Sequence, residues 1–193
     1  MMHDVAHESR AAADLLEEIA RLKQEVAQLK ARVCDLDRLA HEDTLVPLAN
    51  RRGLARALGE SIARRRRHGT PAAVLFVDLN GLKCLNDVFG HAGGDAALVH
   101  VAERLRAGTR DTDCVARIGG DEFCVLLDHA NQAEALETAE RLVDDIAGDE
   151  FLFDGAPMPL SVAIGLTAVE SDDTVETVIA RADAAMYRRK YVA

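Results

Sequence analysis

The sequence has no tryptophan, and aromatic residues make up only 4% of its 193 residues. Since 49% of the residues are nevertheless hydrophobic, we expect a core built mainly from aliphatic side chains. No apolar run approaches the roughly 20 residues that a helix needs to cross a bilayer, and residues 1–10 lack the apolar stretch of a signal peptide. These absences argue against a membrane-spanning or secreted protein.

The sequence has only four cysteines, and its 23 Lys and Arg residues are outnumbered by 33 Asp and Glu residues. The four cysteines form no CxxC pair and show no zinc-ligand spacing; they are Cys34, Cys84, Cys114 and Cys124. We therefore expect reduced thiols and a cytoplasmic location. The net charge of -10 disfavours a nucleic-acid-binding protein, which would usually be basic.

Residues 1–40 are predicted to form a coiled-coil helix. Position a of the heptads holds Val5, Ala12, Ile19, Val26 and Val33, and position d holds Glu8, Leu15, Leu22, Leu29 and Leu36. β-Branched residues at a with Leu at d favour two parallel strands. In that register Glu18 faces Lys23 of a second copy, Glu25 faces Lys30, and Arg32 faces Asp37. The pattern therefore predicts a homodimer; the alternative, a helix packed on its own domain, leaves these opposite charges without a purpose.

From residue 41 onward the composition is that of a globular domain. Apolar patterns predict helices at 51–67, 94–107, 131–148 and 174–189, strands at 72–77 and 160–169, and a hairpin of 114–116 with 123–127. Asn50 is expected to cap the first of these helices, and Leu136 to face inward with Ala135 and Ala139. This order predicts an α/β fold with a mainly antiparallel central sheet and flanking helices.

The tip of the predicted hairpin carries Gly119, Gly120, Asp121 and Glu122. Glycines let the backbone approach a ligand closely, and carboxylates can hold a divalent cation. A solvated acidic turn would explain Gly-Gly-Asp by itself. However, Asp78 ends an apolar strand, and it would converge with Asp121 if the hairpin packs beside that strand. Two carboxylates and a loop carbonyl, with nucleotide phosphates completing the shell, suit Mg²⁺ or Mn²⁺.

The segment after Asp78 contains residue types that suit a guanine nucleotide. Lys83 offers a point charge to phosphates at the start of a helix. A carboxylate such as Asp95 can accept hydrogen bonds from guanine N1–H and N2–H₂, and the amide of Asn86 can serve O6 or N3. Taken singly, Asn86 would be read as a turn residue and Asp95 as a helix N-cap. Together with the hairpin they favour guanine.

These motifs resemble the GGDEF domains of diguanylate cyclases. The hairpin matches the signature that names the family, and residues 78–95 resemble its segment DxDxFKxxNDxxGHxxGD, with Asn80 and Leu82 as departures. The resemblance implies that Asp78, the Leu79 carbonyl and Asp121 hold the metal, with Asp121 also activating a 3′-hydroxyl and Glu122 in a supporting role. It also implies a substrate-binding set: Asn86, Asp95, Lys83, His91, Gly119, Gly120 and Lys190.

A second ligand site is implied by Arg110 and Asp113, which resemble the family's RxxD inhibitory site and lie just before the hairpin. Arg141 matches a position that completes this site. An arginine can contact guanine O6 and N7 together, and an aspartate can accept from the N1–H edge. The alternative for these residues is an exposed loop with an ordinary ion pair.

The resemblance predicts a coiled-coil helix (residues 1–40) and a GGDEF domain (41–193) that condenses two GTP into cyclic di-GMP and two diphosphates as a product-inhibited dimer. One alternative is a catalytically weak receptor for cyclic di-GMP. Another is an enzyme for an adenine-containing cyclic dinucleotide, which Asp95 disfavours. The sequence departs from the family pattern at two places. Val46-Pro47 replaces Thr-Gly in the connector, which is expected to alter how the linker couples to the domain without touching a metal ligand. The sequence also ends at Ala193 without the family's Gly-Arg, whose arginine contacts phosphate, so we expect weaker substrate binding.

Overall fold

The computed structural model describes the backbone of residues 2–192 and the side chains of residues 18–190. Its helices are α1 (Met2–His41), α2 (Arg51–His68), α3 (Leu82–Ala107), α4 (Gln132–Gly148) and α5 (Val175–Val192). Its strands are β1 (Ala72–Leu79), β2 (Cys114–Arg117), β3 (Glu122–Asp128), β4 (Leu152–Phe153), β5 (Ala156–Pro157) and β6 (Val162–Ala168). The chain divides into two compact units between residues 40 and 41. None of the described helices is both long and apolar enough to span a membrane.

Helix α1 is continuous over 40 residues. Its apolar heptad residues are exposed in the single chain from Ile19 (46%) to Leu36 (64%), as the coiled-coil interpretation requires. Glu18 pairs within its own helix, where Arg21 Nη2 donates to Glu18 Oε1 at 2.6 Å. The first heptad positions, Val5, Glu8, Ala12 and Leu15, lie outside the described side chains.

The second unit is built on a four-stranded sheet in the order β2-β3-β1-β6, in which every neighbouring pair is antiparallel. This confirms the predicted antiparallel α/β fold. In the register of β1, Asp78 lies opposite Glu122 of β3 on one side and Ala163 of β6 on the other. The end of the central strand β1 is therefore adjacent to the hairpin tip.

Both faces of the sheet are covered by helices, and every residue of β1 is buried. Ala73, Leu75 and Val77 belong to a core that includes residues of α3 and α4. The alternate residues, Val74 and Phe76, belong to a second core with α2 and α5. A strand that is buried on both faces has a continuous apolar sequence, which explains why β1 shows no alternation.

The cap of α2 agrees with the sequence prediction, whereas the exposure of Leu136 and the β4–β5 hairpin differ from it. Asn50 caps α2 as predicted, its side chain accepting from Arg52 N and Gly53 N. The expectation for Leu136 was wrong: it is 37% exposed, because it lies at the edge of the apolar stripe of α4. The β4–β5 hairpin was not predicted. Its turn, Asp154-Gly155, has positive φ at both residues (51° and 78°), and Asp-Gly is a strong signal for such a hairpin.

Candidate active site

The predicted metal ligands converge at the end of β1. Leu79 N donates to Asp121 O at 3.0 Å, which joins the strand end directly to the hairpin tip. On the opposite side, Asn80 N donates to Ser161 O at 2.9 Å. The Asp78 side chain is only 12% exposed. The backbone of Asp121 thus lies beside the end of β1 that carries Asp78, and the assignment of the two carboxylates to a metal stays a prediction.

The hairpin connection, Ile118 to Asp121, is held by arginines from outside it. Arg117 Nη2 donates to Gly120 O at 2.8 Å, and Arg51 Nη2 donates to Ile118 O at 3.3 Å. Neither Gly119 nor Gly120 has a positive φ. The Glu122 carboxylate instead packs where a Cβ on Gly119 would lie, while a Cβ on Gly120 would meet no atom within 4 Å. A side chain at Gly119 would therefore require the Glu122 carboxylate to move, whereas Gly120 is bordered by open space.

Glu122 lies in an electrostatically unfavourable position for a carboxylate. Burial raises its pKa, and the negative charges of Asp121, Asp183 and Asp78 raise it further, with Arg51 opposing them. Asp183 is on α5 and was not identified from the sequence. The hairpin tip is therefore a region of concentrated negative charge, which favours binding of a cation.

Helix α5 brings Lys190 into this region. Its Nζ forms an ion pair with Asp78 Oδ1. The helix can lie against β6 because Gly165 has no side chain: a Cβ there would come within 2.6 Å of Met186 Cα and would also overlap Met186 N and Ala182 O. Lys190, which the resemblance assigned to phosphates, therefore contacts a predicted metal ligand.

The donor set at the strand end suits a hard divalent cation. Asp78 and Asp121 offer carboxylate oxygens, and Leu79 offers a carbonyl, which are oxygen ligands of the kind that Mg²⁺ and Mn²⁺ prefer. Within the part of the chain that the structure describes, no group of three or more His, Cys, Asp or Glu side chains could hold a metal. The oxygen donors at the strand end are thus two carboxylates and one carbonyl, which agree with the preference of Mg²⁺ and Mn²⁺ for oxygen ligands.

The predicted guanine-reading residues lie on either side of a kink in α3. Gly90 has non-helical angles (φ 72°, ψ 174°) and breaks the helix between Asn86 and Asp95. Because both residues lie inside α3, Asn86 is not a turn residue and Asp95 is not an N-cap. A Cβ on Gly94 would lie 2.9 Å from Asn86 Cγ, so Gly94 makes room for the Asn86 side chain. Among the other predicted substrate contacts on this helix, Lys83 and His91 are exposed.

The unpredicted β4–β5 hairpin supports this kink. Phe153 packs edge-on against Phe89, with ring centroids 6.3 Å apart. Gly93 is buried beside both rings and Met158, and a Cβ there would lie 3.5 Å from Phe153 Cε1 and 3.4 Å from Met158 Cε. The hairpin thus packs against the kinked segment that carries Asn86 and Asp95.

The residues of the predicted inhibitory site share one cavity of about 310 Å³, whose lining includes Arg110, Asp113 and Arg141. Asp113 Oδ2 accepts from Arg110 N at 2.9 Å, and Asp113 Oδ1 accepts from Asp128 N at 3.1 Å. Arg141 Nη2 donates to Gly108 O at 2.7 Å. Asp113 is buried, so it shapes this loop as well as lining the cavity.

The fold and the site together define a nucleotidyl-cyclase-like α/β domain: an antiparallel sheet whose central strand ends in an acid beside a two-acid hairpin tip. Residues 40–192 match the sequence family described as "Diguanylate cyclase, GGDEF domain". The chain therefore belongs to the GGDEF domain family of diguanylate cyclases.

Curated relatives of similar sequence belong to the same family. Diguanylate cyclase DgcP of Pseudomonas aeruginosa is 36% identical over 176 residues, which is 91% of this chain and 26% of that protein. The chain spans roughly a quarter to a third of the length of the curated relatives that it matches.

Two solved structures contain comparable folds. The coiled coil and GGDEF domain of DgcB from Caulobacter crescentus, in complex with c-di-GMP, has a TM-score of 0.86 at 24% identity, covering 93% of this chain and 95% of that one. This likeness shows the fold alone. Diguanylate cyclase SiaD of Pseudomonas aeruginosa, in complex with its activator SiaC, has a TM-score of 0.78 at 27% identity, covering 98% of this chain and 74% of that one.

Proposed function

We propose that the protein is a diguanylate cyclase, which condenses two GTP molecules into cyclic di-GMP and two diphosphates. The observation that carries this proposal is the hydrogen bond from Leu79 N to Asp121 O, which joins the acid-bearing end of β1 to the acidic hairpin tip. Family membership supports the same activity. We also propose that residues 1–40 form the dimerisation helix and residues 41–193 the catalytic domain, which the division of the chain between residues 40 and 41 supports.

Guanine recognition is assigned to Asn86 and Asp95. The Asp95 carboxylate accepts from guanine N1–H and N2–H₂, which adenine does not present together, so GTP is preferred over ATP. Lys83 binds the phosphates from the start of α3. Open space at Gly120 allows the nucleotide to approach the hairpin backbone.

The cation is assigned to Asp78, Asp121 and the Leu79 carbonyl. When bound, Mg²⁺ or Mn²⁺ supplies neutralisation of the negative charge on the phosphates. Asp121 accepts the proton of the 3′-hydroxyl of one GTP as its oxygen attacks the α-phosphorus of the other. The bond from that phosphorus to the bridging oxygen breaks, and diphosphate leaves with the bonding electrons. Glu122 is assigned a supporting role near the metal, because its carboxylate packs beside Gly119 at the hairpin tip.

Two copies are needed, because each domain binds one GTP and the two nucleotides must face each other. The exposed apolar stripe of α1 and its opposite charges at facing positions support a parallel coiled-coil homodimer. Replacing Leu22 and Leu29 by polar residues is expected to lower specific activity at low protein concentration and to restore it at high concentration. Activity that does not depend on concentration in this variant would contradict dimerisation through the helix.

The direct test measures cyclic di-GMP formation from GTP and Mg²⁺. Asp121→Asn is expected to abolish turnover while leaving the thermal unfolding temperature close to that of the wild type, because Asp121 is joined to Leu79 through its backbone. Unchanged turnover in this variant would refute the metal assignment. An equimolar mixture of ATP and GTP should yield only the guanine product.

The cavity at Arg110, Asp113 and Arg141 supports product inhibition through a site remote from the hairpin tip. Added cyclic di-GMP is expected to inhibit the wild type, and Arg110→Ala to relieve the inhibition. Binding of cyclic di-GMP without any turnover of GTP would instead support the second candidate, a receptor that uses this cavity alone.

A further inference from the structure

The ion pair between Lys190 and Asp78 joins two residues to which the proposed function gives different partners. Asp78 is assigned to the divalent cation and Lys190 to the phosphates of the nucleotide. Their side chains are 12% and 21% exposed, so the pair is largely shielded from water. Shielded charges interact more strongly than a surface pair does. The contact therefore competes with anything else that Asp78 binds.

The position of Lys190 is fixed by the packing of its helix. Gly165 lets α5 lie directly against β6, and Met186 is buried at that contact. One residue before the lysine, Arg189 Nη1 donates to Ile164 O at 3.4 Å. Lys190 is thereby directed to the end of β1.

The charges around the pair explain why a cation is favoured there. Asp78 lies opposite Glu122 in the register of the sheet, and Leu79 N donates to Asp121 O, so three acidic residues meet at this end of β1. Lys190 neutralises part of that charge from within the chain. A divalent cation that binds Asp78 must displace the ammonium group, and the displaced group then lies close to where the phosphates bind.

We propose that Lys190 exchanges between two anions: it occupies Asp78 in the nucleotide-free protein and transfers to the phosphates when a divalent cation and GTP bind. This inference rests on the proposed function and adds that Lys190 weakens metal binding in the absence of nucleotide. Removing the lysine should therefore have opposite effects on the two ligands. Metal alone binds more tightly, because its competitor is gone, whereas nucleotide binds less tightly, because a phosphate contact is lost.

The test measures Mn²⁺ binding to the full chain without nucleotide, by the electron paramagnetic resonance signal of free Mn²⁺. Lys190→Met is expected to bind Mn²⁺ about tenfold more tightly than the wild type, as loss of a competing charge a few ångströms away implies. Lys190→Gln should behave in the same way and provides a second variant of different polarity. Circular dichroism and thermal unfolding establish that each variant is folded.

Lys83→Met is the matched control. Lys83 is exposed and forms no ion pair with the residues that the structure describes, so its loss should leave Mn²⁺ affinity unchanged. Both lysine variants should weaken binding of a non-hydrolysable GTP analogue at saturating Mn²⁺. Equal Mn²⁺ affinities in wild type and Lys190→Met, or weaker binding in the variant, would overturn this inference. Failure of the wild type to convert GTP would overturn the proposed function instead.

Discussion

Gly165 is the position where one added methyl group should disturb both the fold and the site. A Cβ there would overlap backbone atoms of α5, Met186 N and Ala182 O, and backbone cannot rotate away as a side chain can. Overpacking of a core typically costs about 1–3 kcal/mol. Because the obstructing atoms belong to the backbone, we expect Gly165→Ala to lose about 3 kcal/mol of unfolding free energy, at the upper end of that range.

The matched control is Gly59→Ala in α2. A Cβ on Gly59 would meet nothing within 4 Å, and Ala is favoured over Gly in a helix interior by about 0.8–1 kcal/mol. The same substitution should therefore stabilise the protein here by up to about 1 kcal/mol and destabilise it at Gly165. Opposite signs from one chemical change isolate the close approach of α5 as the cause.

Urea unfolding followed by tyrosine fluorescence suits this comparison. The protein has no tryptophan, and both of its tyrosines, Tyr187 and Tyr191, lie on α5. The signal therefore reports on the helix that the substitution displaces. An unfolding free energy of Gly165→Ala within about 0.5 kcal/mol of the wild type would refute the reasoning, since surface substitutions alone produce changes of that size.

Two further predictions concern other contacts. Hydrogen bonds from Arg181 lower the pKa of Asp173 despite its burial. The stabilising contribution of this carboxylate is therefore complete above about pH 4 and is lost as the pH falls through the folded-state pKa. Between pH 5 and pH 3, urea unfolding should show a smaller loss of stability in Asp173→Asn than in the wild type, and equal losses would contradict this. Phe153→Ala should raise the KM for GTP several-fold with a smaller change in kcat, because Phe153 packs on the kink between Asn86 and Asp95. The control is Leu152→Ala, which should leave KM unchanged because Leu152 is 57% exposed on the same strand. Equal KM values in the two variants would refute the positioning role of Phe153.

The sequence predicted the parts of the site that are local or that follow from strand pairing. The hairpin is visible as two apolar segments around Gly119 and Gly120, and Asp78 ends a strand that is apolar throughout. Antiparallel pairing of these elements is enough to bring Asp78 and the hairpin tip together. The spacing from Asn86 to Asp95 was equally legible, because both residues belong to one continuous segment.

What the sequence did not reveal depends on contacts between distant elements. The pair of Lys190 with Asp78 spans 112 positions and requires α5 to lie directly against β6. A glycine inside a strand can indicate a close approach of backbone, so Gly165 was the available signal. Phe153 was missed for a different reason: its strand has two residues, too short for any alternation to appear.

The charge that the cavity at Arg110 presents to a ligand depends on which of its lining side chains already have partners within the protein. Four acids line it beside two arginines: Asp113, Asp128, Glu134 and Glu137, with Arg110 and Arg141. By formal charge the cavity would repel an anion such as a cyclic dinucleotide.

Three of these acids, however, already have protein partners. Asp113 accepts from two backbone amides, and Asp128 Oδ2 accepts from Arg64 Nη2 at 2.9 Å. Glu134 accepts from Asn131 N in the capping box of α4. These hydrogen bonds occupy carboxylate oxygens of all three acids, and Arg141 is itself engaged by Gly108 O and Asp145. The Arg110 side chain has no hydrogen bond or ion pair with the residues that the structure describes, so its guanidinium is the cation most available to an anionic ligand. Neutralising Arg110 should therefore weaken binding of cyclic di-GMP far more than replacing Glu137 by Gln strengthens it, and calorimetry on the two variants would decide this; equal and opposite changes would show that formal charge governs the cavity after all.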